Sequence, residues 1–394
     1  MFNKTMGLIP RYNWDMGLCD LIEVLRAPFR GTGDAGLIFK QVLGSEPVLT
    51  GSGRTALYLI LKALNLPQGS KVGVPLFCCP VVFDSVRRAD LVPRFLDINL
   101  QDFTVSAADL KRKRGDIAAL VAVHMFGHPA DMDGILSAST GLPVIEDCAQ
   151  SLFSRYKGKL TGLLGDASFF SFRSGKYISA GEGSAIFAHD SNLLSIIGRL
   201  AHELESTGLA GEVVHGLSTY LKSRLYRRPW YGTVGRPIGG LLDRRLNLSA
   251  KTGFELRKMR AGNLALINRR LPTFYQCVLK QRQNSLALLN RLKIKNASLP
   301  VERADSWSNY YQFAILMDRQ ERRDRLAAHL LRYGIDAASY LDEVVDECRR
   351  DYGYEGDCPN SEYASKRTLV LPNYYTLFFR DIDRIIAAVN ESNI

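Results

Sequence analysis

The sequence predicts an α/β protein in which a mostly parallel sheet wound by helices is followed by a smaller α+β unit. Three observations carry that prediction. Short apolar runs alternate with amphipathic stretches from about residue 50 to 190, the pattern of buried strands joined by helices. From residue 257 the order changes to long helix, strand and further helix, the pattern of a separate layer. The chain has 394 residues, 46% hydrophobic and 23% charged, which is a globular composition with length enough for more than one core.

Strands are expected over Lys71 to Phe77, Val92 to Asp97, Ile117 to Met125, Val144 to Glu146, Ala167 to Phe172 and Ser184 to Ala188. Helices are expected to start near Arg54, Pro80, Ser106, Asp131 and Ser191. Ser106 and Asp190 are residue types that cap a helix start. The alternation breaks over 205–252, where eight Lys or Arg stand against Glu205, Glu212 and Asp243 and are interleaved with Tyr220, Tyr226, Trp230 and Tyr231. This segment holds five of the eleven net positive charges.

Residues 257–292 place Leu264, Ile267, Leu271, Val278, Leu286, Leu289 and Leu292 for one helical face, with Pro272 as a kink or break. A strand over Tyr310 to Leu316 follows, then a helix from Arg319 to Tyr333 stopped by Gly334, a polar loop, and a last helix from Arg380 to Val389. The division is therefore drawn at 1–268 for a large unit, with the basic insertion inside it, and at 269–394 for a small one.

Composition excludes collagen, disorder and coiled coil. Seven Cys, with Cys78 next to Cys79, give neither a disulfide framework nor zinc spacing, so a reducing, cytoplasmic setting is expected. No apolar run reaches the roughly 18 residues of a membrane span, and the first residues lack a signal-peptide core. A net charge of +11 invites nucleic acid, anionic lipid or a phosphorylated ligand. No nucleic-acid-binding motif accompanies it.

Three strings could carry chemistry. Ser52-Gly53-Arg54-Thr55 runs into an apolar helix, and a small-residue turn at a helix start leaves N–H groups free for an anion. It is neither a Walker loop nor G-x-G-x-x-G. Glu146-Asp147-Cys148-Ala149-Gln150 ends a strand, where wound sheets meet their ligands. Ser171 closes another strand, and the small-residue loop after it carries Lys176. Alone, each has a plain alternative: a turn, a helix cap and a solvated lysine. His124 and His128 stand four apart, but Gly127 and Pro129 argue against a helix presenting both to a metal, and no metal is expected. Cys148 reads as a packing residue.

Together a phosphate cradle, a strand-end carboxylate and a loop lysine are the parts that pyridoxal phosphate needs. The chain resembles the DegT/DnrJ/EryC1/StrS family of pyridoxal-phosphate sugar aminotransferases, of fold type I. The strings that carry the resemblance are SGRTAL, VPLF, HMFGHPADMD, EDCAQ, GLLGDASFFSF, Lys176 with GEGSAI, and LVLPNYY, in that order along the chain. The resemblance implies that Lys176 is the Schiff-base lysine and proton shuttle, and that Asp147 pairs with the pyridine nitrogen. It implies that Gln150 meets the ring's phenolic oxygen, and that Ser52, Gly53, Arg54, Thr55 and Ser171 hold the phosphate. It implies a homodimer with sites at the interface, an amino donor such as L-glutamate, and a keto-sugar acceptor on a nucleoside diphosphate.

Four departures from the pattern stand out. Cys79 takes the place of the stacking aromatic, with Phe77 as an alternative source of a ring. GFELRKM over 253–259 lacks the family's interface Asn, with Arg257 or Lys258 as electrostatic substitutes. GIDAASYLDE over 334–343 lacks the family's His-Tyr-Pro. The 205–252 insertion reads as a solvated excursion, a diphosphate clamp or a patch for anionic lipid. Two other functions stay open: an aminotransferase acting on a cyclitol or carrier-linked sugar, and a non-catalytic cofactor-binding regulator.

Overall fold

The computed structural model describes residues 7–12, 14–30, 35–238, 254–392 and 394. The insertion from residue 239 onward, with Arg244, Arg245 and Lys251, lies outside them. Fourteen strands are present among the described residues: β1 Val48–Thr50, β2 Lys71–Pro75, β3 Val92–Leu96, β4 Ala119–Val123, β5 Val144–Asp147, β6 Arg155–Tyr156, β7 Lys159–Leu160, β8 Ala167–Ser171, β9 Ser184–Ala188, β10 Ala297–Ser298, β11 Ser306–Trp307, β12 Phe313–Met317, β13 Ala338–Ser339 and β14 Thr368–Leu371.

Seven of them form one sheet in the order β1-β9-β8-β5-β4-β2-β3. β2, β3, β4, β5 and β8 pair in parallel, whereas β9 runs antiparallel to both β8 and β1. The central strands read as unbroken apolar runs because helices cover both faces; every residue of β4 is buried. All six strands expected for this region are present, and their ends differ from the expected ones by up to two residues. The edge strand β1 has three residues, too few for a periodic signal.

The helix starts follow the capping chemistry. Ser52 Oγ accepts from Thr55 N at 3.1 Å to open the Gly53–Ala63 helix, which buries Ala56, Leu57, Leu59, Ile60 and Leu61 against the sheet. Ser106, Asp131 and Asp190 cap the helices Ala107–Lys113, Met132–Ala138 and Ser191–His202 in the same way. Pro272 sits in a 3₁₀ turn that separates helix Ala261–Arg270 from helix Phe274–Arg291, so the break at proline is real.

The second sheet is antiparallel, in the order β10-β12-β14-β13. Helices Phe274–Arg291, Gln320–Arg332 and Phe379–Asn390 enclose a core with Phe313, Ile315, Leu326, Leu369 and Ile385. Here the sequence reading needs correction: the region read as a polar loop after Gly334 contains β13 and the helices Val344–Asp351 and Pro359–Arg367. Both helices are short and richly charged, so their apolar face is only Val344, Val345 and Cys348 in one and Ala364 in the other. In the basic insertion, a 17-residue helix spans Leu209–Leu225.

A crossing segment joins the two sheets beneath the ends of β4 and β5. Asn309 Nδ2 donates to the carbonyls of Gln150 at 3.0 Å and Leu152 at 2.9 Å. Gly127 makes room for this crossing: at φ +89°, a Cβ there would sit 1.7 Å from Asn309 Oδ1. Gly127→Ala combines that clash with an unfavourable backbone region and is expected to cost about 3 kcal/mol. Thermal unfolding would show a midpoint several degrees lower; an unchanged midpoint would mean the crossing yields freely.

Candidate active site

A cleft of about 800 Å³ opens at the carboxyl ends of the parallel strands. Ser52, Gly53, Arg54, Cys79, Asp147, Gln150, Ser171 and Lys176 all line it. They come from five separated stretches: the turn after β1, the turn after β2, the end of β5, the end of β8, and the loop between β8 and β9. Thr55 does not line the cleft. It is buried, and its hydroxyl meets Ser52 Oγ at 3.0 Å, so it steadies the cap.

Asp147 ends β5 and is buried. Its Oδ1 accepts from Ala149 N at 2.9 Å. Burial raises its pKa, opposed by that bond and by the positive field of Lys176. The neighbouring Glu146 points to the other side of the strand and is fully used: its two oxygens accept from His124 Nε2 and from the amides of Gly162, Leu164 and Gly165, at 2.7–2.9 Å. His124 Nδ1 accepts from Ala130 N, which fixes the proton on Nε2. This network holds the loop beside Asp147 in place. It also accounts for Glu146 and His124 where they come within 4.8 Å of Cys148. His128 does not join them; its Nδ1 meets Ser308 Oγ at 3.0 Å, and burial lowers its pKa to about 4.

Lys176 is half-buried in a loop closed by the Ser171–Ser184 end of the β8–β9 pairing. Its Nζ lies 5.1 Å from the centre of the Tyr311 ring. Burial, then the positive charge of Arg173, lowers its pKa to about 8, while Asp147 and Cys79 act in the opposite direction. Near pH 8 a substantial fraction of this amine is therefore neutral and nucleophilic.

The cleft wall carries Arg54, Arg173 and Lys176 against Asp147 and Glu182, and Glu182 is paired with Arg260. The balance favours an anion near the start of the Gly53–Ala63 helix. Arg54 stacks over Phe254, with its guanidinium carbon 5.3 Å from the ring centre. Phe77 does not supply the ring that Cys79 lacks: it is fully buried and stacks on Phe103 at 5.6 Å. Arg257 pairs with Glu255 at 2.7 Å, and neither it nor Lys258 lines the cleft.

Sequence reasoning missed Tyr340, Arg173 and Glu182. Gln150 Oε1 accepts from Phe126 N at 2.9 Å and its Nε2 lies 3.2 Å from Tyr340 Oη. Tyr340 reaches this place from the small sheet and packs edge-on to Phe126 at 4.9 Å. It lies in the stretch GIDAASYLDE, whose difference from the family pattern was visible but whose destination was not.

A lysine of lowered pKa, a buried carboxylate and a Ser52-capped helix start thus share one cleft of a wound sheet. The comparisons with known proteins point the same way. The structure superposes on the aminotransferase TlmJ from Streptoalloteichus hindustanus with a TM-score of 0.77, 22% identity and 98% of each chain covered. It superposes equally, at 0.77, on DesV from S. venezuelae, with 22% identity and 97% and 98% covered. In sequence, 28% identity over 343 residues relates it to GDP-perosamine synthase of Escherichia coli O157:H7, covering 86% of this chain and 84% of that protein. The spore coat polysaccharide biosynthesis protein SpsC of Bacillus subtilis is 27% identical over 373 residues, covering 90% and 87%. Residues 38–390, the whole span that builds the cleft, match one family, and the chain belongs to it: the DegT/DnrJ/EryC1/StrS aminotransferase family.

Proposed function

We propose that this sugar aminotransferase works with pyridoxal phosphate, takes its amino group from an amino acid such as L-glutamate, and passes it to a keto sugar linked to a nucleoside diphosphate. The observation that carries the reading is the convergence of Lys176, Asp147 and the Ser52-capped helix start on one cleft. Relatives named for GDP-perosamine and for a UDP-linked 3-dehydro sugar support the nucleotide-linked acceptor.

The residues present fit the cofactor. A buried carboxylate whose pKa is raised by desolvation gains from a cationic hydrogen-bond donor such as a protonated pyridine nitrogen. The helix start, Ser171 and Arg54 offer donors and positive charge to a phosphate. When bound, pyridoxal phosphate supplies an aldehyde for the amine and a ring that withdraws electrons from the reacting carbon.

The chain's own side chains do the rest. Lys176 Nζ, neutral in part near pH 8, provides the nucleophile and then holds and returns a proton beside the reacting carbon. Asp147 would keep the ring nitrogen protonated, and Gln150 would meet the ring's phenolic oxygen. We place the large unit at 1–268 and the small one at 269–394, with two copies meeting at the cleft. Among the described residues, no helix is long and apolar enough to cross a membrane.

The test is the visible absorbance of the purified protein. A band that moves to the near ultraviolet on adding L-glutamate supports the reading; a protein that stays colourless with added pyridoxal phosphate overturns it. Tyr340→Phe removes the oxygen partner of Gln150 Nε2, which keeps Met125 Sδ at 3.6 Å, and leaves the ring packing. Loss of one neutral hydrogen bond, about 1 kcal/mol, predicts cofactor binding weaker by about five-fold in a fluorescence titration.

A further inference from the structure

Helix Leu209–Leu225, inside the basic insertion, is built inside out. Its buried residues are Glu212, Gly216, Thr219 and Ser223, small or polar, whereas Leu209, Val214, Leu217 and Leu221 are exposed, Val214 to 66% and Leu221 to 61%. The inward face is polar for a reason. Glu212 accepts from the amides of Ala261 and Gly262, capping the next helix. Gly216 lets Val24 of helix Leu18–Arg30 approach to where its own Cβ would be, 2.7 Å away. Ser223 donates to Met16 O.

Helix Leu18–Arg30, packed against it, buries Leu21, Val24 and Ala27 and also turns apolar side chains outward. Leu18, Ile22 and Phe29 lie on its outer face, with Phe29 70% exposed, and Leu25 beside Gly216 fills the stripe between them. The two stripes lie on adjoining helices, and Trp230, 54% exposed, follows the second helix. The cations and acids of these helices are sorted. Arg26, Arg30, Lys222 and Arg224 are exposed. Asp20 is turned inward to Arg270 at 2.5 Å, Glu212 is buried, and Glu23 is half-buried. An outward apolar face with a cationic border and an exposed tryptophan has the chemistry of a surface that settles at the headgroup level of a bilayer.

We propose that this two-helix face docks the enzyme on the surface of an anionic lipid bilayer. A second copy of the chain is the poorer occupant, because a two-fold contact sets the same cationic border against itself. An anionic headgroup layer instead attracts every one of those cations, and the aliphatic stripes enter the acyl boundary.

The full chain as purified is mixed with sedimentable vesicles of phosphatidylglycerol and phosphatidylcholine, or of phosphatidylcholine alone. Wild type is expected to pellet with the former, to be released by high salt, and to stay in solution with the latter. The triple variant Val214→Ser, Leu217→Ser, Leu221→Ser keeps every charge and is expected to bind at least ten-fold more weakly. Trp230 gives a readout that needs no variant: brominated acyl chains should quench its fluorescence. Equal pelleting by wild type and the triple variant would reduce the effect to general attraction of a basic protein and overturn the proposal. So would absence of quenching, or a wild-type oligomer that the serine changes convert to monomer without any vesicle binding.

Discussion

Lys176→Ala is expected to abolish transamination, by four orders of magnitude or more, because in the proposed mechanism the same amine serves as nucleophile and proton carrier. Single-turnover measurement with L-glutamate checks it, and residual activity within ten-fold of wild type would remove Lys176 from the reaction. The cofactor-free protein offers an independent check through stability. Burial has lowered this amine from 10.5 to about 8, so between those values the unfolded chain binds more protons than the folded one. Stability of the wild type therefore rises with pH across that window, and the cost of burying the charge is fully present below pH 8. Lys176→Met is expected to melt higher than wild type at pH 7, with the gap closing as pH approaches 10.5.

Asp147→Asn should lower turnover by about 10²- to 10³-fold, the usual scale for removing one buried electrostatic partner from a reacting group. It should also weaken cofactor binding. Its shape matches aspartate, so the Ala149 N–H keeps an acceptor and the loop stays in place. The sign of its stability effect follows from its raised pKa. The folded state disfavours the carboxylate, so the penalty is present at neutral pH and disappears as pH falls below the ordinary carboxylate value. Cofactor-free Asp147→Asn is expected to be at least as stable as wild type at pH 7 and to lose that margin in acid. A less stable variant at pH 7 would show that Asp147 holds the fold together and would weaken its assignment to the ring nitrogen.

The wound sheet was legible because its strands are buried on both faces, so continuous apolar runs such as ALVAV in β4 stand out without alternation. The helix starts were legible through Ser52, Ser106, Asp131 and Asp190. Much of the cleft followed from where strands end, since Asp147 and Ser171 close β5 and β8, while Ser52 was found as a small-residue turn at a helix start. Tyr340 was not legible, because its approach to Gln150 depends on how the small sheet packs against the large one, 190 residues away in sequence. Thr55 misled for a local reason: in a helix start, the third residue after the cap turns its side chain back toward the cap. Helix Leu209–Leu225 was not legible either, since its burial is carried by Glu212, Gly216, Thr219 and Ser223, which give no apolar periodicity.

The segment Asn309–Gln312 ties the lysine loop to the far sheet. Tyr311 Oη donates to Gly175 O at 2.6 Å, Tyr177 Oη donates to Asn309 O at 2.7 Å, and Gln312 N donates to Phe126 O at 3.4 Å just before β12 begins. These bonds couple the antiparallel sheet to the Lys176 loop, and the two are expected to open as one cooperative unit. Amide hydrogen exchange should find Lys176, Tyr177 and the β12–β14 ladder released together, so that any agent loosening the small sheet also unlatches the amine from its place over Tyr311.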